Sequence, residues 1–170
     1  MAEGLKKLFM TDTGDHFDFD AEGVGTLRIE GNVIYKWVKN VTPLTESVAP
    51  SVGAIANYLP GADNNTVSGS WTQLGRAAPA GVYMWSSTVS QGETYGWLQL
   101  TGSCIVRAST SWPATSVGTI DTGGVEGSAG YRLLPLLSGV EKPNICIRLG
   151  MSTYTLASGS GVKVVLNFPI

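Results

Sequence analysis

The most reactive-looking residues in this chain are aspartates, and two of them open the triplet Asp-Thr-Gly, at Asp12-Thr13-Gly14 and Asp121-Thr122-Gly123. That triplet marks the active site of aspartic proteases, where two carboxylates share a proton. A two-lobed enzyme of that kind needs roughly twice the 170 residues present, because each lobe supplies one triplet and half the cleft. No apolar run leads into the first copy, and the second is embedded in glycines. The nearest approach to a supporting apolar segment, Ile147-Arg148-Leu149-Gly150, carries an arginine. Asp-Thr-Gly is also an ordinary turn, since Asp caps it and Gly accepts positive φ. The turn reading is preferred, and the protease alternative predicts an activity lost in Asp121→Asn.

Other reactive groupings are thinner. The single histidine, His16, has Asp15 and Asp18 nearby but no Cys/His cluster to complete a metal site. Asp12, Asp15, Asp18 and Asp20 match a calcium loop in charge only. An EF-hand opened by Asp12 would place Phe17 where glycine is required and Gly23 where glutamate is required. Ala157-Ser158-Gly159-Ser160-Gly161 reads as a flexible turn and not as a nucleophile elbow. We expect no catalytic residue, no metal and no cofactor, and hence a non-enzymatic protein. The aromatic residues remain. Trp37, Trp71, Trp85, Trp97 and Trp112 could stack on sugar rings, but in a β protein such residues more often anchor a core or a subunit interface.

The elements that must carry these residues are β-rich. Thr26-Leu27-Arg28-Ile29 and Val33-Ile34-Tyr35-Lys36-Trp37-Val38-Lys39 flank a Glu30-Gly31-Asn32 turn and read as a hairpin. One short helix is expected over residues 51–58, between Pro50 and Pro60, although Gly53 weakens it. Further strands are expected at 66–73, 81–86, 95–101, 104–108, 132–134, 144–149 and 162–167, with a long loop over 109–130. The fold class is therefore all-β, a single β-sandwich or β-barrel domain over residues 25–170 with at most one short helix. Residues 1–24 read as an extended N-terminal arm, because Gly14 and the aspartates oppose a helix. Such an arm would clamp a neighbouring subunit and order only on assembly, with Phe9, Phe17 and Phe19 as anchors.

Composition narrows the partners. Hydrophobic residues make up 43% and charged residues 14%, against about 25% charged in ordinary soluble domains. So sparse a charge suggests a surface partly buried against other chains. The net charge of −2 and the lack of a Lys/Arg cluster argue against nucleic acid. No apolar run approaches the roughly 20 residues of a membrane span, and no signal-peptide core follows Met1, so a protein made and kept in the cytoplasm is expected. Cys104 and Cys146 lie in apolar strand-like runs and read as reduced core thiols.

Two motifs carry a family resemblance. Gly31-Asn32-Val33-Ile34-Tyr35-Lys36-Trp37-Val38-Lys39-Asn40 resembles the hairpin near the start of many bacteriophage capsid cement (decoration) proteins. Tyr95-Gly96-Trp97-Leu98-Gln99-Leu100-Thr101-Gly102 resembles a later strand of theirs, and Ala129-Gly130-Tyr131-Arg132-Leu133-Leu134 and Gly161-Val162-Lys163-Val164-Val165-Leu166 follow in matching order. The resemblance implies a virion structural protein on the outside of the shell. It would bind the major capsid protein, stabilise contacts between its subunits and associate with itself as dimers or trimers. Phe9, Phe17, Phe19, Trp37, Trp97 and Trp112 are the candidate capsid-binding or oligomer-interface residues. A tail or fibre module holding host glycan through exposed tryptophans is the alternative.

Overall fold

The computed structural model describes residues 9–42, 49–59, 62–69, 79–88, 92–107, 118–120, 133–135, 148–149 and 161–167. These residues are all β or irregular, and none of them is helical. The strands, in chain order, are β1 (His16–Phe17), β2 (Leu27–Glu30), β3 (Val33–Thr42), β4 (Ile55–Tyr58), β5 (Thr66–Ser68) and β6 (Pro79–Tyr83). They continue with β7 (Gly92–Gln99), β8 (Thr101–Arg107), β9 (Gly118–Ile120), β10 (Leu133–Pro135), β11 (Arg148–Leu149) and β12 (Gly161–Asn167).

Five strands close a barrel in the order β7-β6-β4-β5-β3, and β3 returns to β7. The barrel is mixed, because β3 runs parallel to β5 and antiparallel to β7. The β3–β7 ribbon is its spine, in register from Tyr35 opposite Gln99 to Thr42 opposite Gly92. The remaining edge of β3 is shared by β2 and β5, and that of β7 by β1 and β6. Beyond the barrel, β8 pairs with β12 and β12 with β11, while β9 pairs with β10.

The expected hairpin is β2–β3, turning at Gly31-Asn32, where Gly31 takes φ +61°. The region read as a helix is instead a turn followed by β4. Gly53 sits at φ +81°, a left-handed conformation that a helix interior does not accept. Its N–H donates to Tyr83 O, and its carbonyl accepts from Arg107 N, so its backbone is spent on neighbouring strands. The stretch read as a long loop over 109–130 contains β9, which pairs with Leu133–Pro135.

The main core holds Val38, Ile55, Val67, Val82, Tyr83, Trp85, Leu98 and Leu100, all essentially without exposed surface. Strand β8 alternates along its length, burying Gly102, Cys104 and Val106 while exposing Ser103, Ile105 and Arg107, as expected for a sheet with one covered face. Cys104 and Val106 join Leu166 of β12 in that same core, so the three-stranded sheet packs on the barrel. Burial of the Cys104 thiol pushes its pKa up to about 11. Tyr83 donates from its hydroxyl to Asn40 Oδ1 at 2.6 Å, and burial raises its pKa far above the ordinary tyrosine value.

Candidate functional site

A second apolar layer lies outside the β3–β7 ribbon. Trp37 and Trp97 stand directly opposite each other across the two strands, with ring centroids 5.2 Å apart at 67°. Edge-to-face geometry of this kind adds about 0.5–1.5 kcal/mol beyond area burial. Residues 9–24 roof the pair. Phe9 meets the Trp97 ring edge-on at 5.6 Å, Phe17 lies 6.4 Å from Trp37, and Ala21 and Val24 pack into the same cluster. Under this cover both indoles have 0% exposure.

Buried indole N–H groups need acceptors, and the roof supplies both. Trp37 Nε1 donates to Asp20 Oδ1 at 2.8 Å, and Trp97 Nε1 donates to Thr11 Oγ1 at 2.9 Å. The Thr11 hydroxyl donates in turn to Glu22 Oε1 at 2.9 Å, and that oxygen also accepts from Met10 N and Thr11 N. Asp20 accepts from Gly23 N and Val24 N, which fixes the turn that leads into β2. Arg28 closes the arrangement. Its Nη1 donates to Thr11 O at 2.7 Å, and its guanidinium lies over the rings of Phe9 and Trp97.

The sequence-predicted residues therefore separate. Trp37 and Trp97 are interior, Phe9 and Phe17 are partly buried over them, and Phe19 is 57% exposed. Trp112 lies outside the described residues, as do Trp71, Cys146 and the second Asp-Thr-Gly. Phe9 and Phe17, expected to await a neighbouring subunit, are anchored on their own barrel. The reason is that the outer face of β3–β7 is itself aromatic and leaves two indole donors to satisfy. The first Asp-Thr-Gly is an exposed turn in which Asp15 N donates to Asp12 O and Asp12 N to Asp15 Oδ2. His16 is exposed on β1, opposite Gly96. No group of three or more His, Cys, Asp or Glu side chains gathers as metal ligands would among the described residues.

The surface feature that sequence reasoning missed is on β2. Leu27 is 40% and Ile29 67% exposed, on the strand that ends the main sheet. The segment was read only as one arm of a hairpin, and its alternation Leu27-Arg28-Ile29-Glu30 does not by itself say whether the apolar face is covered. Arg28, Thr11, Asp20 and Glu22 were also missed, because donors and acceptors scattered along residues 11–28 leave no periodic mark. No protein-family model, curated protein or solved structure matches this chain.

Proposed function

We propose that this chain is a non-enzymatic virion structural protein that binds the outside of a phage capsid and stabilises contacts between major capsid subunits. The observation that carries the reading is the pairing of its two resembling motifs. The hairpin motif and the Gly96-Trp97 motif form neighbouring strands, and their tryptophans build one rigid spine at Trp37 and Trp97. Sparse charge, 14% of residues, and apolar side chains left in solvent at Phe19, Leu27, Ile29, Val52 and Ile105 favour work by association. A compact barrel with an aromatic spine suits a part that must resist deformation while its surface is held by neighbours. Glycan stacking receives less support, because Trp37, Trp85 and Trp97 are at most 1% exposed.

Light scattering of the purified protein, alone and with phage capsids lacking it, tests the reading. The expected result is loading onto capsids in fixed stoichiometry. A protein that ignores capsids and instead binds glycan saturably would overturn it.

A further inference from the structure

We propose that the edge of β2 turned away from β3 is a self-association surface, on which a second copy of this chain adds its own β2 antiparallel about a two-fold axis at Ile29. The inference deepens the assembly reading above and rests on it.

Among the described residues β2 pairs only with β3. Trp37 N donates to Thr26 O, and the register pairs Arg28 with Tyr35 and Glu30 with Val33. Hydrogen bonding in an antiparallel ladder alternates along the strand. Arg28 and Glu30 therefore use their backbone groups on β3, whereas the N–H and C=O of Leu27 and Ile29 point away from it. The side chains of Leu27 and Ile29 share one face and are 40% and 67% exposed. Edge strands are ordinarily blunted by lysine, proline or an intruding charge. The one cation on β2, Arg28, is turned inward to Thr11 O and the Phe9 ring.

Two self-pairings bring the outward backbone groups of Ile29 onto those of Leu27 or Ile29 in the second copy. Centring on Arg28 sets Leu27 opposite Ile29 of the second copy, but sets guanidinium against guanidinium. Centring on Ile29 sets Arg28 opposite Glu30 of the second copy, twice by symmetry, and Ile29 against itself. Opposite charges across a strand pair stabilise it and like charges oppose it, so charge complementarity selects the Ile29 register. Glu30, whose carboxylate already pairs with Arg28 of its own chain, is well exposed and able to reach a second guanidinium. Only four residues form the strand, so the contact is weak in dilute solution. It strengthens where copies are held close, as on a shell.

Cysteine cross-linking reads the register directly. Ile29→Cys places two Cα atoms about 5.5 Å apart in a hydrogen-bonded pair, inside the roughly 4.4–6.8 Å that a disulfide spans. Leu27→Cys places them about 13 Å apart along the strand. In the full chain under mild oxidation, with the unsubstituted protein as background, Ile29→Cys should dimerise at least about tenfold faster than Leu27→Cys. Equal rates, a faster Leu27→Cys, or no Ile29→Cys dimer would overturn the proposal. Ile29→Lys, checked for native tryptophan fluorescence, should weaken self-association in sedimentation at least about tenfold. Unchanged association in that variant would put the interface elsewhere and leave the decoration reading intact. Cross-linking at Ile29 without any capsid loading would keep the β2 edge and remove the decoration reading.

Discussion

The barrel interior and the roofed aromatic layer both bury tryptophan, but they satisfy it differently. In the roofed layer each indole N–H has an acceptor, Asp20 for Trp37 and Thr11 for Trp97. Trp85, 1% exposed in the interior, finds no partner for its N–H among the described residues. It packs edge-on to Tyr83 at 4.8 Å and against Gly96. The interior is enclosed by strands that hydrogen-bond to one another all round. The outer layer is enclosed by an irregular segment whose attachment runs largely through side chains and one short strand pairing. Closed sheets open as units, whereas side-chain-tethered segments open locally. The contrast predicts two thresholds of opening in one small protein.

The sharpest test of that contrast removes the residue on which the roof rests. Trp97→Ala should cost about 3–5 kcal/mol in urea unfolding, because it takes away the partner of Phe9, Trp37 and Thr11 together. A cost below about 1 kcal/mol would mean that the outer layer adds nothing to the folded unit. Next comes Gly96→Ala, aimed at the interior. An added Cβ would lie 2.7 Å from Trp85 Cδ2, so the indole must move, at a cost of about 1–3 kcal/mol. That loss should appear equally in every probe of unfolding.

Thr11→Val keeps the size of the side chain and deletes the link between Trp97 and Glu22. The expected loss is about 1–2 kcal/mol, concentrated in the roof. Hydrogen exchange should quicken at Met10 and Thr11 while β6 and β7 stay protected. Uniform loss of protection would show that roof and barrel open together. The smallest effect concerns Cys104. With its pKa pushed up to about 11 by burial, the thiolate is scarce at all lower pH. Alkylation of Cys104 at about pH 8 should therefore track global unfolding and be unchanged in Thr11→Val. Faster alkylation in that variant would tie the two layers into one opening event.

Local signals account for most of what the sequence made legible. The β2–β3 hairpin was visible because its turn chemistry, Gly31-Asn32, and its β-prone flanks lie within one short window. Strand β8 was legible in part, over 104–108, from the β-prone run Cys104-Ile105-Val106, but that run gave no sign that Ile105 faces outward. Residues 51–58 misled because a strand buried on both sides is as uniformly apolar as a short buried helix, and Ala54, Ile55, Ala56 and Asn57 are all buried. Barrel closure left no local trace at all, since the β3–β5 and β3–β7 pairings join segments far apart in sequence. The roof was illegible for a chemical reason. Asp20 and Glu22 look like solvated acids until the indole and backbone donors that claim them are brought near in space.

The β3–β7 pairing also sets an order of events during synthesis. Trp37 leaves the ribosome well before its partner Trp97, and the phenylalanines of the roof leave earlier still. Phe9 and Trp37 both pack on Trp97, so these early aromatics wait for β7 before they are covered. Loop closure over so long a stretch is slow, and the nascent chain carries exposed rings throughout that wait. Variants that delay β7, more than those that weaken the finished barrel, should therefore be the ones that aggregate in the cell.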